Sequence, residues 1–337
     1  MKREPDETPA GPPRAADAPR RHESAGALAR LQQCTTVGAL LLAVAWAWGF
    51  ASAGEVGWAF AGALAIVGGY AAVLALEFVL LHRVHGDDPA PRAAPRQLWR
   101  AWWGEVRTAP VVFCWRQPFL SRRFPDAPAA GVHGRRGVLL VHGFVCNRGL
   151  WNPWLQRLHA ARVPVVAVNL EPVFGSIDDY VPRIEAGVRA LHAHTGLAPL
   201  VVAHSMGGLA LRRWWAEPGN EERVHRAITI GTPHHGTWLA RFALTPNARQ
   251  MRRDSRWLRA LAAREPAARA GRFTCFYSHC DNIVFPPSTA TLAGADNRHL
   301  PGVAHVHMAD RPEPWLALQE LLSDGAHGLS DGTRGSS

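Results

Sequence analysis

The chain has 337 residues, 47% of them hydrophobic and 19% charged, and a formal net charge of +10 that comes almost entirely from arginine. That length holds one α/β domain of about 200 residues and a further segment. With no acidic block and no aromatic–basic repeat, the composition excludes a nucleic-acid module; an anionic membrane surface suits the charge better, each arginine near lipid head groups contributing roughly 1 kcal/mol.

Residues 1–34 read as a disordered tail rich in Pro, Ala, Arg and acidic side chains. The tail lacks the apolar core and cleavage site of a signal peptide, so it is expected to be retained. Residues 35–82 change character abruptly. Thr35–Ala53 and Val56–Leu81 are apolar runs, the second interrupted only by Glu77, and Gly54-Glu55 lies between them. Each has about the 20 residues that cross a bilayer as a helix, so the pair predicts a transmembrane hairpin. Two buried helices of a soluble core are the alternative, but such helices seldom run so long with so few polar residues. Arg14, Arg20, Arg21 and Arg30 precede the hairpin, and Arg83, Arg92, Arg96 and Arg100 follow it. The positive-inside rule then places both ends, and everything after residue 82, in the cytoplasm. The five scattered cysteines (Cys34, Cys114, Cys146, Cys275 and Cys280) argue against a disulfide framework and agree with a reducing compartment.

Residues 83–130 form a linker, Pro/Ala/Asp-rich over Gly86–Pro95, then a short helix over Gln97–Thr108. On that helix Trp99, Trp102, Trp103 and Val106 share a face beside Arg96, Arg100 and Arg107, which suits a lipid head-group zone. Packing of the tryptophans on the next domain is an equal alternative. Since every candidate catalytic group lies downstream, a chain starting near Arg96 is expected to remain active.

Residues 131–323 alternate strands and helices, the pattern of a parallel sheet covered on both faces. Gly137–Val141, Val165–Leu170, Leu200–Ala203, Ala227–Gly231, Phe273–Ser278 and Ala295–Leu300 read as strands, and Pro314–Leu322 as a closing helix. Ser176 is placed as the N-cap of a helix reaching His194. Residues 324–337 read as a second disordered tail.

The stretch LVVAHSMGGL at 200–209 organises the domain. An apolar strand runs into a turn at Ser205, and Gly207-Gly208 lets a helix start at once, as in a nucleophile elbow. Ala203 and Gly207, two residues either side of the serine, are small because strand and helix cross closely there. A serine hydroxyl needs a base to take its proton and an acid to orient that base. Asp281, just after the strand Phe273–Ser278, is preferred as the acid over Asp296 and Asp254. His305, between the last strand and last helix, is preferred as the base over His307 and His299; His204, beside the serine, reads as structural. An oxyanion needs preorganised N–H donors. The turn His142-Gly143-Phe144 and the residue after the nucleophile offer two, the backbone N–H groups of Phe144 and Met206. There is no H-E-x-x-H spacing, no C-x-x-C pair and no phosphate-binding glycine loop, so neither metal nor cofactor is expected.

VHGF at 141–144, AHSMGG at 203–208, GTPHHGT at 231–237 and the segment from Asp281 to His305 together resemble the bacterial lipase and esterase branch of the α/β-hydrolases. The likeness spans residues 137–322 and implies an α/β-hydrolase fold, a Ser-His-Asp triad cleaving carboxylic esters, and a GTPHHGT loop at the active-site mouth. Residues 237–270 fall where such enzymes carry a lid, here with eight arginines, two acidic residues and interleaved apolar side chains. The resemblance and the hairpin together imply a lipase or esterase of the bacterial inner membrane, drawing acyl esters from an anionic lipid surface. Thioesterase, amidase and acyltransferase chemistry would use the same triad. A non-catalytic membrane protein keeping the fold is the reading from a different class.

Overall fold

The computed structural model describes residues 26–129 and 134–327. Of the tails expected over residues 1–34 and 324–337, residues 1–25 and 328–337 lie outside them. Helix α1 (Ala27–Ser52) and α2 (Val56–Gly68) follow one another across the turn Ala53–Glu55 and pack together, Trp46 Nε1 donating to the Trp58 carbonyl at 2.9 Å. α3 (Tyr70–Val84) continues the second apolar run, but the run is not the continuous helix the sequence suggests. α2 and α3 meet at an angle of 53°, and only α1 alone, or the bent pair taken as one, has the length and apolarity of a span. Gly68-Gly69 supplies the break, a common cause of sharp kinks. Helix formation at the N-terminus also begins at Ala27, inside the expected tail, because Leu28, Ala29 and Gln32 are buried.

α4 (Pro95–Pro110) extends the expected interfacial helix by a few residues at each end. Its buried stripe is Ala101, Gly104 and Glu105. The tryptophans divide: Trp99 and Trp103 are exposed, whereas Trp102 turns inward and donates to the Ala71 carbonyl at 2.9 Å. Pro110 has no N–H to give the preceding turn, and the helix widens over Val111–Arg116 before ending at Phe119.

The rest of the chain builds a six-stranded sheet, all parallel, in the order β2-β1-β3-β4-β5-β6. The strands are β1 (Val138–Val141), β2 (Val165–Val168), β3 (Leu200–His204), β4 (Arg226–Ile230), β5 (Phe273–Tyr277) and β6 (Asp296–His299). The central strands are unbroken apolar runs because both faces are covered. On one face Leu139, Val141, Val201 and Ala203 meet α6 (Val181–Thr195) and α7 (Met206–Trp215). On the other, Val138, Leu140, Val202 and Ile228 meet α5 (Asn152–Ala160) and α10 (Pro312–His327). Ser176 does cap the entry to α6, its Oγ accepting from Asp178 N at 3.1 Å, though one 3₁₀ turn comes first. The expected lid region is a chain of short helices that includes α8 (Pro246–Gln250) and α9 (Arg256–Ala262). The chain leaves β1 toward β2 on one side and returns to β3 on the other. In open parallel sheets such a reversal leaves a crevice beyond the strand ends, where ligands bind.

Candidate active site

Both strands flanking that crevice end in the motifs singled out above. β1 and β3 are in register with Val141 opposite Ala203, so the next residues bring Gly143 level with Ser205. A Cβ on Gly143 would lie 2.7 Å from Ser205 Cβ, which shows how tightly the turn abuts the serine. Ser205 itself sits at φ 55°, ψ −129°, a conformation that L-residues rarely hold outside functional turns. α7 starts at the next residue. At Gly207 a side chain would run into the Val141 and His142 carbonyls at 2.7 and 2.5 Å, the physical reason for a small residue there.

The other two candidates come from the ends of β5 and β6. Asp281 and His305 are 1% and 4% exposed, and His305 Nδ1 donates to Asp281 Oδ2 at 2.9 Å. The second carboxylate oxygen, Oδ1, accepts from the N–H groups of Ile283 and Val284 at 2.9 and 2.8 Å, which fixes the acid in its turn. Burial alone would lower the His305 pKa. Asp281, with Glu105 and Glu77 behind it, outweighs burial and leaves the imidazole above its ordinary value. Gly231, at the end of β4, makes room for the pair, since a Cβ there would stand 3.1 Å from both Asp281 Oδ2 and His305 Nδ1. The imidazole ring centroid lies 4.7 Å from that of His204, the residue before Ser205. Asp281 and His305, far apart in the chain, are thus joined beyond the C-terminal ends of the strands, next to the residue that precedes Ser205.

The alternatives fall elsewhere. Asp296 is on the edge strand, paired with Arg298 at 2.8 Å. Asp254 occupies an exposed turn at φ 55°. His299 stacks with His279 and Tyr277, and His307 faces α4, where a Cβ on Gly104 would meet its Nδ1 at 2.6 Å. The backbone N–H groups of Phe144 and Met206 have no protein acceptor among the described residues. Above them, Phe144 packs edge-on against the half-exposed Phe174, ring centroids 6.0 Å apart. Asn247 in α8 bonds to the Gly175 and Val173 carbonyls on either side of Phe174.

Several further residues support the candidates. His142 Nδ1 donates to the Gly143 carbonyl at 2.9 Å and its Nε2 accepts from Leu170 N at 3.0 Å, pinning the turn after β1 to the end of β2. Burial pushes its pKa down to about 4. His204 Nε2 donates to the His305 carbonyl at 3.2 Å, and burial, then the neighbouring His305, pushes its pKa down to about 3. Asn282 Oδ1 accepts from His305 N at 3.2 Å. The GTPHHGT loop turns partly inward: His234 is buried, and Arg212 of α7 donates to its carbonyl at 2.8 Å while pairing with Glu265. Among the described residues no group of His, Cys, Asp and Glu side chains is arranged to hold a metal ion.

The profile of the alpha/beta hydrolase family matches residues 138–329, starting at β1. In three dimensions the chain is similar to the mature form of the Bacillus licheniformis lipase BlEst2, with 17% identity over 59% of this chain and 94% of that one and a TM-score of 0.50. It is also similar to Aspergillus fumigatus lipase B, at 24% identity and the same TM-score of 0.50, over 56% of this chain and 53% of that lipase. No curated protein matches the chain in sequence. The family match, the parallel sheet with its reversal at β1, and the elbow at Ser205 all fall within one region, and the chain belongs to the alpha/beta hydrolase family.

Proposed function

We propose that the protein is a membrane-anchored serine esterase acting on lipid or other acyl esters, with Ser205 as nucleophile, His305 as base and Asp281 as the acid that orients it. The observation that carries this reading is the buried Asp281–His305 pair, closed at 2.9 Å through Nδ1, with the His305 ring 4.7 Å from that of His204, the residue before the positive-φ elbow of Ser205. With Nδ1–H committed to Asp281, the neutral imidazole keeps its lone pair on Nε2, the nitrogen that no protein group engages among the described residues. In acylation Nε2 takes the Ser205 proton as Oγ bonds to the ester carbon. The carbonyl electrons move onto oxygen, where the N–H groups of Phe144 and Met206 receive the negative charge. Collapse returns the electrons, breaks the bond to the alcohol oxygen and hands that oxygen the proton from His305. Water, activated by the same Nε2, then releases the acid. Asp281 stabilises the imidazolium that exists between these proton transfers.

Anchoring rests on the N-terminal helices. Leu41, Val44, Trp48, Val56, Trp58 and Phe60 on α1 and α2 are all exposed, an apolar surface far larger than a soluble monomer carries. Trp99, Trp103, Trp115 and Phe119 extend it beside Arg100 and Arg107, the side-chain mixture of a head-group layer. The flanking arginines favour a cytoplasmic hydrolase domain. Labelling of the full-length protein with a fluorophosphonate, followed by a panel of acyl esters, thioesters and phospholipids, tests the chemistry. An inert serine, or labelling retained in Ser205→Ala, would refute it. Alkaline phosphatase and fluorescent-protein fusions at the C-terminus test the topology; strong phosphatase activity with a dark fluorescent fusion would place the domain outside the cytoplasm.

A further inference from the structure

The family match starts at β1, yet two carboxylates from the preceding helices, the buried Glu105 and the partly buried Glu77, reach the loop that carries His305, Glu77 by way of Asn282. Glu105 of α4 is 1% exposed. Its two oxygens accept separately from consecutive backbone amides, Val306 N to Oε1 and His307 N to Oε2, each at 3.0 Å. The amide before them, His305 N, donates to Asn282 Oδ1 at 3.2 Å, and Asn282 Nδ2 donates in turn to Glu77 Oε2 of α3 at 2.6 Å. Three consecutive N–H groups of one loop are therefore held by side chains, two by Glu105 and one by Asn282, which is itself tied to Glu77, so all three lead back to the N-terminal helices. Arg116, in the wide turn after α4, closes the same loop further on by pairing with Asp310 at 2.8 Å.

The packing agrees with the hydrogen bonds. Phe78 and Leu81 of α3 and Ala101 of α4 share a buried cluster with Cys280, Phe285 and Ala304, the neighbours of Asp281 and His305. A carboxylate in such a place is costly, because burying charge loses its hydration. An apolar side chain would fill the space, but it could not satisfy two adjacent N–H groups that point at it. The cost is offset only where those amides must be fixed. With its N–H taken by Asn282, its carbonyl by His204 Nε2 and its Nδ1 by Asp281, His305 has one polar atom left unheld, Nε2.

We propose that the N-terminal helices belong to the catalytic apparatus, with Glu105, and Glu77 acting through Asn282, as positioning residues that set the place of the His305 imidazole. This rests on the triad reading given above. On this proposal a chain starting near Arg96, which retains Glu105 but loses α3 and Glu77, would lose activity, against the expectation from the sequence.

The test uses the full-length protein in detergent micelles and compares wild type, Ser205→Ala, Glu105→Gln, Glu105→Asp and Glu77→Gln. Two things are read: the rate and end-point of fluorophosphonate labelling, and kcat and KM on a soluble aryl ester, with kcat counted per labelled serine. A glutamine offers one acceptor to two N–H donors, so the loop shifts without unfolding. Misplacement of a reacting group by about 1 Å costs up to about 100-fold, so Glu105→Gln is expected to label to the wild-type end-point but about 10- to 100-fold more slowly. Its kcat should fall by the same factor while KM stays within about twofold, since uniform substrate binding is untouched. Glu105→Asp recovers part of the rate, and Glu77→Gln loses less than Glu105→Gln. A purely structural role would instead lower the end-point and leave the surviving sites at the wild-type rate; that result, or a wild-type rate in Glu105→Gln, overturns the proposal. Should Glu105→Gln fail to accumulate, Glu77→Gln decides by the same readouts. Persistent labelling of Ser205→Ala would instead refute the triad itself, whatever the glutamate variants do.

Discussion

The hydrolase domain and the N-terminal helices invert each other's rule. In the domain, apolar residues such as Leu139, Val201 and Ile228 are buried and polar chemistry gathers at one edge of the sheet. In the helices the apolar residues, Leu41, Trp48 and Phe60 among them, are the exposed ones, and the buried positions include Gln32 and Glu105. In the helices, then, much of the apolar surface faces the surroundings, while the docked positions of α3 and α4 mix apolar side chains such as Phe78 and Leu81 with the carboxylate of Glu105. One hydropathy scale read along the chain treats the two alike and misjudges which of the helical residues matter to the site.

The largest effects break the domain side of this comparison. Ser205→Ala should lower kcat by on the order of 10⁶ with an unchanged thermal midpoint. Measurable turnover in the purified variant would end the assignment. His305→Ala is expected to approach the same loss. His307→Ala should stay within about threefold of wild type, because its ring faces α4 and not the serine. The reverse order would move the base by two residues.

A smaller effect probes the boundary between the regions. Burial pushes the Glu105 pKa from 4.5 up to about 7, against the pull of its two backbone amides. Between those values the folded chain holds a proton that the unfolded chain has released. This group's contribution to stability is therefore full below pH 4.5 and is lost as the pH rises through 7. Glu105→Gln has no such dependence, so the stability gap between wild type and variant should move in the variant's favour by on the order of 3 kcal/mol across that window. Thermal midpoints of both proteins at several pH values measure it; a constant gap would mean that Glu105 is ionised throughout.

The smallest effect lies wholly in the helices. Gln32 Nε2 donates to Gln117 Oε1 at 3.0 Å, in a buried seam where α1 meets the end of the helix that follows α4. Gln32→Ala should cost about 1 kcal/mol, seen as a lower thermal midpoint, with esterase activity unchanged. A loss of activity would extend the coupling of helices and site from α3 and α4 to α1.

Most of the domain was legible in the sequence because its signals are local. Strand β3, Ser205 and Gly207 lie within eight residues of one another, and each constrains its neighbours sterically. Strand ends shifted by a residue or two, and the hydrolase fold itself needed no revision. The second apolar run was harder. Its composition says only that it avoids water, and nothing in it distinguishes a straight span from a helix that bends at Gly68-Gly69 and lies on protein. Glu77, the lone carboxylate of that run, was the available clue, and an isolated charge in an apolar helix does call for a partner. The partner could not be named, since Asn282 is 205 residues away and the Glu105 partners are backbone amides that leave no mark in a sequence.

The two attachments of the hairpin have a mechanical consequence. α1 is held at Gln32 and Gln33, seated on Gln117 and Pro118 at the end of the helix that leads into the hydrolase domain, and α3 is held to the domain at Glu77. A load tied at one point swivels; tied at two separated points it keeps its facing. With α1 and α2 embedded in a bilayer, the crevice above Ser205 would ride at a constant height and tilt over the lipid surface. Under the proposed function, the search for substrate would then be two-dimensional, and turnover would follow the surface density of esters in the host leaflet and not their amount per volume of cell.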